Sequence, residues 1–201
     1  MKKKVIWPLA LIVVFAISRW PGIMPRALQN FSAAYAVAFC AGLYLPRAMA
    51  WYVPLGLMAA TDVALHFLYY SQYEFSWGQF IGTEIGYVGL IGLGQWMGRR
   101  RPWWMLVGGG MVGAVIFYLV TNFASWLYLP YAKTLAGLIQ ALTGGMPGYP
   151  PTWEFFRNTL MSGGLFTGLF VGAMKATEAE ETEEEEEEEE ETEPEGEEAE
   201  V

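Results

Sequence analysis

Apolar residues gather into six runs separated by short polar or basic stretches. They cover about Val5 to Ile17, Phe31 to Leu45, Ala50 to Tyr70, Phe80 to Met97, Trp103 to Phe123 and Phe155 to Met174. At a rise of about 1.5 Å per residue, only the longer runs reach the ~30 Å of a bilayer's hydrocarbon as helices. The first two need flanking Lys, Trp or Arg residues, or a locally thin bilayer, to complete a crossing. The pattern predicts an all-α integral membrane protein: a compact bundle of six transmembrane helices over residues 1–176.

The connection from Ala124 to Glu154 is too long for a simple turn. Tyr131 to Leu142 reads as a short amphipathic helix, and Thr143 to Pro151 as an irregular loop, because Pro and Gly at that density stop a helix. Such a segment can be a lid over an outward-facing site or a passive surface helix. Glycines four apart recur at Gly82 with Gly86, Gly94 with Gly98, Gly109 with Gly113, and Gly164 with Gly168 and Gly172. Small residues at that spacing let membrane helices approach closely.

Charge divides the chain. Of its 21 acids, 17 lie between Glu178 and Glu200; the other four, Asp62, Glu74, Glu84 and Glu154, face all 12 Lys and Arg. The body therefore carries about +8, although the whole chain carries -9. Residues 177–201 are nearly pure Glu and are predicted to be a disordered cytoplasmic tail, either solubilising or bound to basic partners or cations. With the N-terminus inside, Lys2 to Lys4, Arg47, Arg99 to Arg101 and Lys175 fall on the inner side, and Arg19, Arg26, Lys133 and Arg157 on the outer. The excess of inner cations predicts a multi-pass protein of the bacterial inner membrane with both termini in the cytoplasm. The first run also mimics a signal peptide with a cleavage site near Ala16-Ile-Ser18. The bulky Arg19-Trp20-Pro21 that follows, and five further runs, favour a retained helix.

Candidate chemistry is sparse. Cys40 is the one cysteine, which rules out an intramolecular disulfide; it reads as a small buried hydrophobe, with a metal-ligating thiolate as the alternative. No CxxC, HExxH, GxSxG or P-loop pattern occurs. The only aspartate, Asp62, and the only histidine, His66, lie four apart in an apolar run, so they share one helix face. Ionisable groups at membrane depth face a protein interior, a partner or a water-filled cavity.

Topology collects further polar residues at the outer half of the bundle. Asp62 falls near mid-membrane and His66 about 6 Å further out. Glu84 lies about one turn below the outer surface, Asn122 closes the fifth run, and Arg157 and Asn158 open the sixth. Gln29 and Asn30 precede the second run. Two readings stay open. Arg157 can hold a carboxylate or phosphate while Asp62 and Glu84 take amine or hydroxyl donors, with Trp77, Trp126, Trp153 and Tyr149 stacking on a planar ring. Alternatively Arg157 neutralises Asp62 or Glu84 in a buried pair, and the tryptophans form an interfacial belt. His66 reads first as a packing residue, with a metal or proton role as its alternative.

The stretches Thr121 to Trp126, Tyr131 to Leu138 and Phe155-Phe-Arg-Asn-Thr-Leu160 resemble an uncharacterised family of small bacterial membrane proteins. Asn30-Phe-Ser32, Ala41 to Tyr44 and Pro54 to Asp62 extend the likeness over most of residues 26–174. That family in turn resembles the S components of energy-coupling-factor vitamin transporters, six-helix proteins that capture a vitamin from outside. The family's acidic residue after Phe-Arg-Asn-Thr is replaced here by Met161-Ser-Gly-Gly-Leu165. The resemblance implies a bilayer-embedded, non-enzymatic substrate-capture component for a vitamin-like molecule. It also implies separate transmembrane and ATPase partner subunits, since the chain has no nucleotide-binding motif. No cofactor, metal or nucleic-acid partner is expected. The competing expectations are a membrane enzyme or redox protein using Asp62, His66 and Glu84, and a structural or assembly protein whose polar groups pair internally.

Overall fold

Helix limits follow the local stop and start signals. Residues 13–19 form α1, and Arg26–Leu28 a single 3-10 turn. Then come α2 (Ala34–Tyr44), α3 (Met49–Tyr69), α4 (Trp77–Met97), α5 (Trp103–Tyr128), α6 (Leu135–Leu142) and α7 (Thr152–Thr192). The Ser76 side chain accepts from Gln79 N at 3.3 Å to open α4, and Gly98, at φ 69°, closes it. Pro102 precedes α5, and Thr134 caps α6 by accepting from Gly137 N at 3.2 Å. The computed structural model describes residues 13–20 and 25–192, all helix, turn or irregular with no strand among them. Lys2 to Lys4, the start of the first run and the end of the Glu-rich tail lie outside the described residues.

The all-α class expected from the apolar runs is what the chain forms. The amphipathic segment predicted over Tyr131 to Leu142 is the shorter α6. The largest difference is at α7, which continues to Thr192, so the Glu-rich segment is helical where disorder is expected. Glu is a good helix former, and elongating an existing helix avoids the cost of nucleation.

α2 is the centre of the packing. It touches α3, α4, α5 and α7, and nine of its eleven residues are buried, among them Tyr35, Phe39, Cys40 and Leu43. Its alanines and Gly42 allow backbone-to-backbone approach to α4. A Cβ on Gly94 would collide with the Phe39 carbonyl oxygen and the Gly42 backbone. Further contacts join α4 to α5 and α5 to α7. Phe39, Met58, Leu90, Ile91, Leu106 and Phe170 complete the core.

The outer surfaces of the long helices are apolar as well. Phe67 and Leu68 on α3, Ile81 and Ile85 on α4, Val112 and Leu119 on α5, and Leu165 and Leu169 on α7 are all exposed. Among the described residues α3 and α5 are long and apolar enough to cross a membrane. With apolar side chains on both core and outside, this points to membrane association.

Candidate functional site

α2, with 11 residues, is about 16 Å long, whereas α3 and α4, with 21 each, reach about 31 Å. The space beyond the N-terminus of α2 is therefore not filled by helix. A cavity of about 1090 Å³ lies there. Its walls come from the end of α1, the C-terminal halves of α3 and α5, and the N-terminal ends of α2, α4 and α7. The strand-free segment 28–32 and loop residues Tyr73, Gly145 and Tyr149 also line it.

On its inner wall Arg19 of α1 joins three elements. Its guanidinium forms an ion pair with Asp62 of α3 and donates to the Tyr87 hydroxyl of α4 at 3.1 Å. It also lies 3.7 Å from the Met58 sulfur and 5.7 Å from the Phe15 ring centre. Of the two readings open from sequence, the pairing of Asp62 with Arg157 is not what forms: the partner of Asp62 is Arg19. The two are 43 residues apart in sequence, a tertiary contact that no local pattern encodes.

Four of the eight residues singled out in the sequence line the cavity: Asn30, Asp62, His66 and Asn122. Asn30 sits at φ 65°, a left-handed conformation that Asn tolerates better than most residues, and its carbonyl accepts from the Tyr35 hydroxyl at 3.1 Å. The His66 ring packs edgewise against Phe67 and Phe75, with centroids 5.4 and 4.9 Å apart. Asn122 Nδ2 donates to the Tyr118 carbonyl at 2.8 Å, which leaves its Oδ1 as an acceptor.

The other four lie off the wall. Glu84 follows wall residue Thr83, and the 100° turn of the helix carries it away; its Oε1 is buried without a hydrogen-bond partner. Trp126 Nε1 donates to Ala132 O at 2.9 Å, and Lys133 Nζ donates to the Trp126 and Leu129 carbonyls, together closing the end of α5. Asn158 is buried, and its Nδ2 donates to Ala27 O and Gln29 O, both at 2.8 Å. Arg157 donates to Ala27 O and to Asn158 Oδ1, both at 3.3 Å, with its guanidinium 5.7 Å from the Trp153 ring centre. Both side chains tie the segment before α2 to α7. Neither is placed to clamp an anion in the cavity.

Sequence reasoning missed Tyr35, Gln79, Tyr87 and Phe117. Tyr35 and Tyr87 both pack against Phe117, at 4.8 and 4.9 Å. Within an apolar run a tyrosine gives no signal beyond its hydroxyl. At the rim, Tyr73 and Tyr149 are more than half exposed, and the neighbouring Tyr73 phenol raises the pKa of Tyr149 above its ordinary value. Cys40 is buried in α2 and is not part of the wall. No group of three or more His, Cys, Asp or Glu is placed to hold a metal ion among the described residues.

Fold and cavity together define a helical, membrane-associating protein with an internal polar and aromatic chamber at one end. The chain belongs to a family of unknown function (DUF6580), whose profile matches residues 1–185. No curated protein and no solved structure matches it.

Proposed function

We propose that this protein is a six-span binding protein of the bacterial inner membrane that captures a small molecule from the outer side. The observation that carries the reading is the cavity: about 1090 Å³, at or above the size of an ordinary small-molecule site, inside a bundle whose outside is apolar. The six spans are α1 to α5 and α7. α2 does not have to reach either membrane face, because its neighbours enclose it and the cavity occupies the depth it leaves. Arg47, Arg99 to Arg101 and Lys175 gather at the opposite end of the bundle, which supports an outward-facing cavity.

Capture alone moves nothing across a membrane. The resemblance to energy-coupling-factor S components supplies the rest: transmembrane and ATPase partner subunits would drive release of a vitamin-like cargo to the inside. A wall bearing one compensated ion pair and amide groups supports binding over catalysis.

Native mass spectrometry of the detergent-purified protein tests this. A co-purifying small molecule is expected, and it should be lost in Thr83→Trp, which puts a large ring into the chamber while the protein stays folded. A wild-type protein that carries no added mass, or one whose added mass persists in that variant, would refute capture in this cavity.

A further inference from the structure

Resting on the capture reading, we infer that the cavity takes an uncharged, planar heteroaromatic molecule with hydrogen-bond donor and acceptor groups on its edge. Charge excludes the first alternative. Among the described wall residues Asp62 is the one acid and Arg19 the one arginine or lysine, and they pair with each other; the His66 ring packs against Phe67 and Phe75. A phosphate or carboxylate entering the chamber finds no uncommitted lysine or arginine among the described wall residues, while its own desolvation is costly. Arg157 and Lys133, at the same end, are bonded to backbone carbonyls.

Hydroxyl groups weigh against the second alternative, a sugar-like polyol. Eight serines and threonines line the wall, and four of those hydroxyls donate back to their own helices. Ser18 bonds Phe15 O at 2.8 Å, Thr83 bonds Gln79 O at 3.0 Å, Thr121 bonds Phe117 O at 2.9 Å and Ser125 bonds Thr121 O at 3.0 Å. The donor capacity of these four is already in use, and a polyol needs many free donors.

What the wall does offer is ring faces and two amides. Tyr35, Tyr87 and Phe117 make one aromatic cluster; His66, Phe75 and Phe80 make another, with Phe75 4.9 Å from His66 and 5.6 Å from Phe80. Every one of these six lines the chamber. Gln79 on α4 has a buried side-chain nitrogen with no partner, and Asn122 on α5 has its amide oxygen as acceptor. A donor and an acceptor on separate helices suit the edge of a ring bearing an amide, imide or amidine.

The test is equilibrium dialysis of the full-length protein in detergent against lumichrome, adenosine with its 5′-phosphate, uridine with its 5′-phosphate, and maltose. Any co-purifying compound is identified alongside by exact mass and absorbance. Binding of a neutral ring compound at least tenfold tighter than its phosphate, weakened at least fivefold in Phe117→Leu, is expected. A phosphate ester that binds as well as its parent, or maltose or a non-aromatic co-purifying compound bound in this cavity, overturns the ligand class and leaves capture standing. A protein that binds no member and carries no compound overturns capture itself.

Discussion

Removing Arg19 while keeping Asp62 is the most informative perturbation of the molecule's interior. The two side chains are 12% and 23% exposed, so the pair is mostly withdrawn from water but touches the chamber. Breaking a fully buried pair by deleting one partner costs about 3–5 kcal/mol, because the remaining charge is left uncompensated. Access to cavity water moves the expectation for Arg19→Met to the lower end, about 2–3 kcal/mol. Asp62→Leu should cost as much, since it strands a guanidinium whose remaining polar partner is the Tyr87 hydroxyl. Replacing both removes the charges together, so Arg19→Met with Asp62→Leu should lie within about 1 kcal/mol of wild type. The coupling between the sites is then at least about 2 kcal/mol, well above the few tenths expected for independent positions. Unfolding by SDS titration in mixed micelles, read by tryptophan fluorescence, measures all four proteins on one scale. Additive single effects, with a double variant as weak as their sum, would show that the pair is not the unit described.

Asn158→Ala should cost about 2 kcal/mol, from two lost bonds of about 1 kcal/mol each to the Ala27 and Gln29 carbonyls. Amide exchange at residues 27–31 should speed up before that of α4 does. Equal protection there in variant and wild type would refute the tie. Gly94→Ala should destabilise by more than about 2 kcal/mol, because its methyl meets the Phe39 carbonyl and the Gly42 backbone rather than a movable side chain. Gly56→Ala is the contrast, with open space around the added methyl, and should stabilise by about 0.5–1 kcal/mol in the same SDS titration. Similar effects at the two glycines would argue against the α2–α4 contact.

Much of the helix order is written in punctuation that a reader can see. Pro102, Gly98 and the Pro150-Pro151 pair sit where α4, α5 and α7 stop or start, and the apolar runs between them are long. Which face of a helix is buried is not legible, for a physical reason. On α4 the outward Ile81 and Ile85 are as apolar as the inward Leu90 and Ile91, so no polar stripe marks the outside. Glu84 was therefore placed in the site by depth alone, and its rotation off the wall follows from packing. For Asp62 the sequence offers Arg157 as a cation from the same side, whereas the tertiary fold brings Arg19 of α1 to it. Asn158 looked like a free ligand because the carbonyls it holds belong to an irregular segment whose path no periodicity predicts. At the C-terminus composition argued for disorder, yet the helical propensity of Glu carries α7 to Thr192.

The short α2 connects these observations. An Ala-rich helix can sit at the centre of a bundle because its neighbours approach to backbone contact, but its 11 residues leave the depth beyond its N-terminus open. Side chains that project into that depth meet neither lipid nor tight packing, so ionisable groups there must neutralise one another or draw in water. Arg19 and Asp62 neutralise one another and fasten α1 to α3 and α4 in doing so. The pair therefore acts on the position of the walls, and the groups with hydrogen-bonding capacity or ring faces still open on them are Gln79, Asn122, Phe75 and Phe80. If such a chamber takes a small molecule, as proposed, it selects by shape and edge pattern instead of by charge.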